Sequence, residues 1–195
     1  MPAKWLAKAS FSGVGSELTE QELLEALRRK EPASARAFYD RYAGYLTAVA
    51  LRYVPDRSAV MDILQDAFLK MFDAVDRFEY RGEGSLKSWA SRIVVNGALQ
   101  SLRKQGRLQY VEDLPDMAEE EVVPVQEVSP AVLQRMIQEL PDGYRTVFNL
   151  FVFEQKSHRE IATLLGIKED SSASQYFRAR ALLARKIKAY IKEHA

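Results

Sequence analysis

The chain has 195 residues, 47% of them hydrophobic, which is enough for one large or two small domains with a true core. It has no cysteine and two histidines, which excludes disulfides, thiolate metal sites and a cysteine nucleophile and argues against a histidine-rich metal site. The net charge of +1 is unevenly distributed along the chain. Residues 1–107 have 17 basic and 13 acidic residues, and residues 131–195 have 11 basic and seven acidic residues. Residues 108–130, between them, have seven acidic residues and no basic one. The two basic blocks suit a polyanionic partner such as nucleic acid.

Neither a membrane span nor a signal peptide is expected. The longest uncharged apolar stretch, residues 43–51, is far shorter than the roughly 20 residues that a transmembrane helix needs. Residues 1–15 contain two lysines but no continuous apolar run. We therefore expect a cytoplasmic protein with no direct membrane insertion.

Two helices are predicted between residue 18 and Pro55. Thr19 and Glu22 have the spacing of a capping box and open a helix over 18–30. Apolar residues at helical spacing then continue over 33–54, until Pro55 ends the pattern.

Two further helices flank a glycine-containing break. Asp56 is placed to cap a helix that runs to about Phe78, and the stretch "EYRGEGS" at 79–85 interrupts it with two glycines. Another long helix covers about 86–105. No segment keeps the alternation of a strand, so the predicted fold class is all-α.

An acidic connector separates the two halves of the chain. Residues 108–130 hold no basic residue, no aromatic after Tyr110 and three prolines, a composition that buries too little apolar surface to fold. It is interpreted as an extended flexible linker, and a solvated loop without function remains an equal alternative. The predicted organisation is an N-terminal tail 1–16, a helical domain 17–107, the linker 108–130 and a second helical domain 131–195.

The second domain predicts a helix-turn-helix. Ser129 and Pro130 restart the helix, another helix follows Pro141, and "SHREIATLLGIKEDSSASQYFRARALLARK" at 157–186 reads as helix, turn and helix. Ser157 and Glu160 form a second capping box, Gly166 supplies the turn, and Asp170 or Ser171 is the predicted cap of the last helix.

The last helix has two faces. Its buried stripe is predicted to be Ser172, Tyr176, Ala179 and Leu183, and the opposite stripe is predicted to meet the major groove. Side chains there can donate hydrogen bonds to bases or phosphates. A helical hairpin that binds nothing is the alternative. The candidate DNA contacts are Ser174, Gln175 and Arg178, with Arg159, Lys168, Arg180 and Arg185 along the backbone.

Three motifs in order resemble the small, extracytoplasmic-function (ECF) group of bacterial sigma-70-type sigma factors. They are "DILQDAFLKMF" at 62–72, "SLKSWASRIVVNGALQSLRK" at 85–104, and "LPDGYRTVFNL" at 140–150 leading into "SHREIATLLGI" and "SQYFRAR". The resemblance covers about residues 30–192. It departs from the family pattern at Gln100, where an aspartate is common, and at Ala173, where a basic residue is frequent.

The resemblance implies a division of labour. The first domain would bind core RNA polymerase through the helix at 62–72 and meet the promoter −10 element with "EYRGEGS" and the helix after it, where Asn96 matches the family's base-recognising asparagine. Trp89 is interpreted as core packing. The implied core-binding residues are Asp62, Leu64, Gln65, Asp66 and Lys70. The implied −10 residues are Tyr80, Arg81, Lys87, Arg92, Asn96, Arg103 and Lys104. The implied −35 residues are Arg159, Lys168, Ser171, Ala173, Ser174, Gln175, Phe177 and Arg178.

The same resemblance implies the partners. They are core RNA polymerase, promoter DNA and an anti-sigma factor, with no cofactor, no metal and no enzymatic activity. The acidic linker would occupy a nucleic-acid channel of the polymerase as a polyanion. Two alternatives stay open: a stand-alone helix-turn-helix regulator with a helical sensor or dimerisation domain, and a helical enzyme that uses the Asp62/Asp66 pair for a divalent metal.

Overall fold

The computed structural model describes residues 18–108 and 127–194, and all regular structure in these ranges is helical, which confirms the all-α prediction. These residues form two compact units, 18–51 with 56–98 and 52–55 with 99–108 and 127–194. No described helix is long and apolar enough to cross a membrane. The helices are α1 (Glu20–Arg28), α2 (Ser34–Tyr53), α3 (Arg57–Ala74) with a 3₁₀ turn (Val75–Arg77), α4 (Ser85–Lys104), α5 (Pro130–Gln138), α6 (Asp142–Val152), α7 (His158–Leu165) and α8 (Glu169–His194).

The predicted tail 1–16 and most of the predicted linker 108–130 lie outside the described residues. The interpretation of the linker as a flexible polyanion therefore stays a prediction.

Side-chain caps start α1, α3 and α5 where the sequence predicted them. The Thr19 and Glu22 capping box is complete, and the Asp56 carboxylate accepts from the Ala59 amide at 2.7 Å. Ser129 caps α5 through the Val132 amide. Such caps satisfy amides that the first turn of a helix leaves without partners.

The core of the first unit packs α1, α2, α3 and α4 together. Gly97 marks a close approach of α4 to α3, since a Cβ there would lie 3.3 Å from Cγ2 of Ile63. Any larger residue at position 97 must push that isoleucine away. The fully or nearly fully buried apolar residues of this unit include Leu23, Leu24, Phe38, Leu46, Val49, Met71, Leu86, Ala90 and Val94.

The second unit has its own apolar core and one buried cation. Arg145 is 2% exposed, and its guanidinium donates to the carbonyls of Gln138 (2.7 Å) and Leu140 (2.8 Å) and to the Asp142 carboxylate. Burial lowers the pKa of Arg145, while the adjacent carboxylate opposes that shift. The cation thus ties the α5–α6 turn to α6. The core cluster comprises Val128, Met136, Ile137, Leu140, Ala179, Leu183 and Ile187.

The last helix begins earlier than the sequence predicted. α8 starts at Glu169, and the Ser172 amide already donates to the Lys168 carbonyl at 3.1 Å. Asp170 and Ser171 lie inside its first turn, so the prediction that one of them is the N-cap was wrong. The helix continues to His194 because Ile187, Tyr190 and Ile191 extend its apolar stripe onto the core cluster.

Candidate nucleic-acid and polymerase interfaces

The outer face of α3 carries four of the five predicted core-binding residues. Asp62, Gln65, Asp66 and Lys70 are exposed, as expected. Leu64 is only 6% exposed, so its assignment to this surface was wrong. It falls in the buried stripe of α3 because it stands four residues before Phe68 and next to Ile63.

Asp62 and Asp66 form a pair of carboxylates on the exposed face of α3. Within residues 18–108 and 127–194 no group of three or more histidines, aspartates or glutamates is placed to hold a metal ion. Asp62 and Asp66 lie one helical turn apart on that exposed face.

The loop before α4 is shaped by its two glycines. Gly82 (φ 105°) and Gly84 (φ 86°) adopt backbone conformations that other residues enter only with strain. The Gly82 carbonyl accepts from the Ser85 amide at 3.1 Å, and the Ser85 hydroxyl accepts from the Arg81 amide at 3.2 Å. The loop therefore has a defined conformation that leads directly into α4.

The two predicted side chains of this loop differ in setting. Tyr80 is half-buried, and its pKa is raised by partial desolvation and by the carboxylates of Glu83 and Glu20, so the ring stays neutral. Arg81 is exposed and pairs with Glu79 at 3.1 Å. An exposed ion pair of this kind contributes little to stability and leaves the guanidinium available to another anion.

One side of α4 brings Arg92 and Asn96 together in solvent. Both are exposed, and their i, i+4 spacing places them on the same side of the helix. Trp89, three residues before Arg92, packs on Phe78 at 4.9 Å between ring centroids but is half-buried rather than part of the core. An aromatic ring, a cation and an amide thus adjoin along one stripe.

The remaining predicted −10 residues lie elsewhere on α4. The Lys87 ammonium lies 4.1 Å from the centroid of the Tyr45 ring, and helical spacing places it about 140° around the helix from Arg92. Lys87 is therefore not part of the Arg92 and Asn96 stripe. Arg103 and Lys104 are exposed in the last turn of the helix.

The predicted helix-turn-helix is formed by α7 and α8. Ser157 and Glu160 complete a capping box at the start of α7. Gly166 ends that helix in the left-handed conformation (φ 72°, ψ 37°), and its amide donates to the Ala162 carbonyl at 2.8 Å. Because such a C-cap favours glycine, this residue allows the tight turn between the two helices.

The start of α8 presents small side chains to solvent. Ala173 is exposed, Ser171, Ser174 and Phe177 are half-buried, and the Ser174 hydroxyl donates to the Asp170 carbonyl at 2.8 Å. Two exposed cations, Arg159 on α7 and Lys168 in the turn, belong to the same motif.

Two predicted DNA contacts are not exposed on this face. Gln175 is 0% exposed, so its assignment as a DNA contact was wrong: it stands four residues before Ala179 and shares that residue's buried side of the helix. Arg178 is half-buried, with Nη1 3.4 Å from the Tyr144 hydroxyl. Its Nε and Nη2 atoms are buried without a hydrogen-bond partner among the described residues. The guanidinium therefore does not face outward, contrary to the prediction.

A polar contact supports the buried side of α8 at Ser172. This fully buried residue, predicted inward despite its hydroxyl, lies 3.0 Å from Nδ1 of His158. The imidazole stacks on Phe151 at 4.7 Å and lies 5.8 Å from the Tyr176 ring. The cluster thus links the first residue of α7 to the buried side of α8.

Known proteins resemble both units. The ECF RNA polymerase sigma-E factor of Haemophilus influenzae is 29% identical over 89% of this chain and 98% of its own length, and that of Escherichia coli is 28% identical over 92% and 100%. The sigma-70 region 2 model matches residues 38–108, and the sigma-70 region 4 model matches 131–183. The chain is an ECF sigma factor of the sigma-70 family. It is thus a promoter-recognising transcription initiation factor of RNA polymerase.

Two more distant similarities accompany these. The RNA polymerase sigma-H factor of Pseudomonas aeruginosa is 26% identical over 89% of this sigma factor and 96% of its own length. The solved structure of CnrH in complex with the cytosolic domain of CnrY covers 86% of this chain and 96% of that one, with 20% identity and a TM-score of 0.47.

The family boundaries leave part of this sigma factor unaccounted for. Region 2 begins at residue 38, so α1 and its cap lie outside both matched regions. Within region 2, Met61 (58% exposed) and Leu69 (49% exposed) lie on the outer part of α3 beside the polar residues. Neither residue was predicted from the sequence, although apolar residues outside the buried stripe of an amphipathic helix are a usable signal for a binding surface.

Proposed function

We propose that the first unit binds core polymerase through the outer face of α3. That face combines carboxylates at 62 and 66 and an amide at 65 with the exposed side chains of Met61 and Leu69. Apolar side chains among polar ones are typical of a protein interface, whereas a merely solvated helix face has few of them. Leu64 is excluded from this surface, and Lys70 lies at its edge.

We also propose that the loop 79–84 and the exposed stripe of α4 recognise the −10 element as unpaired DNA. Reading an unstacked base needs an aromatic surface and a group that both donates and accepts hydrogen bonds. Tyr80 supplies the first and the Asn96 amide the second. Arg81, Arg92, Arg103 and Lys104 supply positive charge for the backbone, while Lys87 contributes charge from another side of the helix.

The start of α8 is proposed to read the −35 element in the major groove. In helix-turn-helix proteins the N-terminal residues of the second helix meet base edges. Phe177 supplies apolar contact, and Arg159 and Lys168 bind phosphates. Arg178 reaches DNA only if its guanidinium leaves Tyr144, a movement that relieves two buried unpaired nitrogens. The small side chains of this reading surface are Ser171, Ala173 and Ser174.

One contrast supports the proposal: the first unit presents an aromatic ring, a cation and an amide on the loop 79–84 and α4, whereas α8 of the second unit begins with small side chains in a helix-turn-helix. The α4 surface suits unpaired bases and the α8 surface suits a duplex groove. A stand-alone regulator needs only the second. Since chemistry is supplied by the polymerase, we propose no catalytic role, no cofactor and no metal for this chain. It works where the polymerase works, in the cytoplasm, and an anti-sigma factor is its proposed regulator.

The test compares the chain alone with its complex with core polymerase. Binding is measured to a −35 duplex and to a single-stranded −10 oligonucleotide, both taken from a promoter selected by the complex. We expect each oligonucleotide to bind the complex in a sequence-dependent way and the free chain weakly. Equal, sequence-dependent binding of the whole promoter duplex by the free chain would instead favour the stand-alone regulator.

A further inference from the structure

The segment that enters the 79–84 loop is held by α1. Arg28, in the last turn of α1, directs Nε to the Val75 carbonyl at 3.4 Å and donates from Nη2 to the Phe78 carbonyl. These carbonyls belong to the 3₁₀ turn and to the residue that ends it. A guanidinium with two carbonyl acceptors fixes the chain immediately before the loop.

The segment that leaves the loop is held by the other end of α1. Glu20 is 2% exposed, and its carboxylate accepts from the amides of Leu86 (3.2 Å) and Lys87 (3.1 Å) and from the Tyr42 hydroxyl (2.9 Å). Burial, and then the bond to Glu20, raise the pKa of Tyr42, so the phenol remains a donor. Three donors satisfy a carboxylate that would otherwise be costly to bury.

This contact replaces a cap that α4 lacks. The residue before α4 is Gly84, which has no side chain to accept from the second and third amides of the helix. The first and fourth amides use the Gly82 and Gly84 carbonyls. Glu20, more than 60 positions earlier, supplies the missing acceptor, and its negative charge stands at the positive end of the α4 dipole.

We propose that α1 holds both ends of the −10 loop in place, with Glu20 and Arg28 as positioning residues for promoter recognition. This pair of contacts between α1 and the two ends of the loop is called the splint below. This role of α1 rests on the proposed role of the loop and of α4 in reading the −10 element. The loop is anchored on both sides to one rigid helix, so Tyr80 and the start of α4 keep a fixed relation before DNA arrives. Preorganised reading groups need less ordering on binding.

Two matched pairs of variants test the splint in the full chain. Glu20→Gln keeps the size of the side chain but removes its charge and places an NH₂ donor among three donors. Glu22→Gln makes the same change at an exposed position of the same helix, where glutamine still suits a capping box. Arg28→Met is paired with Arg29→Met, since Arg29 is exposed and its contacts with other described residues all lie within residues 25–31.

The first measurement is amide hydrogen exchange in the free chain. In Glu20→Gln we expect the amides of Leu86 and Lys87 to exchange about tenfold faster, as for the loss of a bond to a charged acceptor. Amides in the middle of α2 and α3 should keep their rates, as should all of these amides in Glu22→Gln. Equal acceleration throughout the first unit, or no change at residues 86 and 87, would overturn the splint.

The second measurement is −10 discrimination by the complex with core polymerase. It is the ratio of affinities for the selected single-stranded −10 oligonucleotide and its scrambled sequence, which does not depend on the folded fraction. We expect about a tenfold fall in Glu20→Gln and Arg28→Met and none in their controls. If Tyr80→Ala lowers the ratio and these two variants do not, the positioning role is wrong. If Tyr80→Ala has no effect, the proposed −10 role of the loop is wrong, and the exchange pattern alone decides the splint.

Discussion

Replacing Asn96 by aspartate changes the proposed base-reading group and little else. Asn96 is exposed on α4, asparagine and aspartate have similar size and helix propensity, and exposed substitutions change stability by about 0.5 kcal/mol or less. The aspartate loses both NH₂ donors and places a negative charge where DNA phosphates approach. Any large effect must therefore arise in the DNA complex.

The expected magnitude follows from the contacts that the side chain can make. A good contact between an amide and a base edge is worth about 1–3 kcal/mol, which corresponds to roughly fivefold to 150-fold in an equilibrium constant. Asn96 lies 11 residues beyond Ser85, about 16 Å along α4 from the loop that carries Tyr80. The two residues can thus act on different nucleotides of one unpaired strand.

The assay is permanganate reactivity of unpaired thymines in the promoter complex. Asn96→Asp should capture duplex promoter almost normally through the −35 element but open it about fivefold to 150-fold less. A promoter with a mismatched −10 region should recover only part of this loss, because melting is bypassed and base recognition is not. Gln21→Glu, the same amide-to-acid change on the exposed side of α1, is the control. Normal opening of duplex DNA by Asn96→Asp would refute the role.

Three further predictions separate structural from binding residues. Leu64→Ala should lower the free energy of unfolding by about 2–5 kcal/mol, while the folded protein keeps its affinity for core polymerase. Asp66→Lys, at an exposed position, should leave the melting temperature nearly unchanged and weaken the binding of core polymerase in a pull-down assay. Arg178→Ala should leave the melting temperature unchanged or higher and weaken promoter binding, and lower stability with unchanged binding would make Arg178 structural. Hydrogen bonds from the Ser157 amide and hydroxyl lower the pKa of Glu160, so this stabilisation holds above pH 4.5 and is lost as the pH falls through the lower folded value. Below pH 4.5 the melting temperature of Glu160→Gln should therefore fall less steeply with pH than that of the wild type. Equal slopes would show that the bonds between Ser157 and Glu160 do not contribute to stability.

Local patterns account for the parts of the fold that the sequence predicted. The capping boxes at Thr19 and Ser157 and the left-handed glycine at 166 depend on neighbours within four residues, so spacing alone reveals them. The error at Leu64 came from choosing exposed residues by family position, although helical spacing from Phe68 places Leu64 in the core. The same spacing argument from Ala179 would have removed Gln175 from the DNA face.

Contacts between remote segments account for what the sequence did not reveal. In the sequence Glu20 looks like an ordinary acidic residue in the first turn of a helix. Only folding brings its carboxylate to the amides of Leu86 and Lys87, which lie more than 60 positions later in the chain. Ser172 looked unfavourable in the core until His158 supplied a partner. Arg178 illustrates the opposite case, since helical spacing placed it toward DNA and the side chain turned back to Tyr144.

Specific transcription by purified core polymerase is the direct test of whether this chain directs the enzyme to promoters. Core polymerase with and without the chain is given a library of randomised duplex promoters, and transcript starts are mapped. We expect transcript starts only with the chain present, from templates that share two short elements, one near −35 and one near −10. Selection of a single element bound equally well by the chain without polymerase, with no transcript dependent on the chain, would contradict this role.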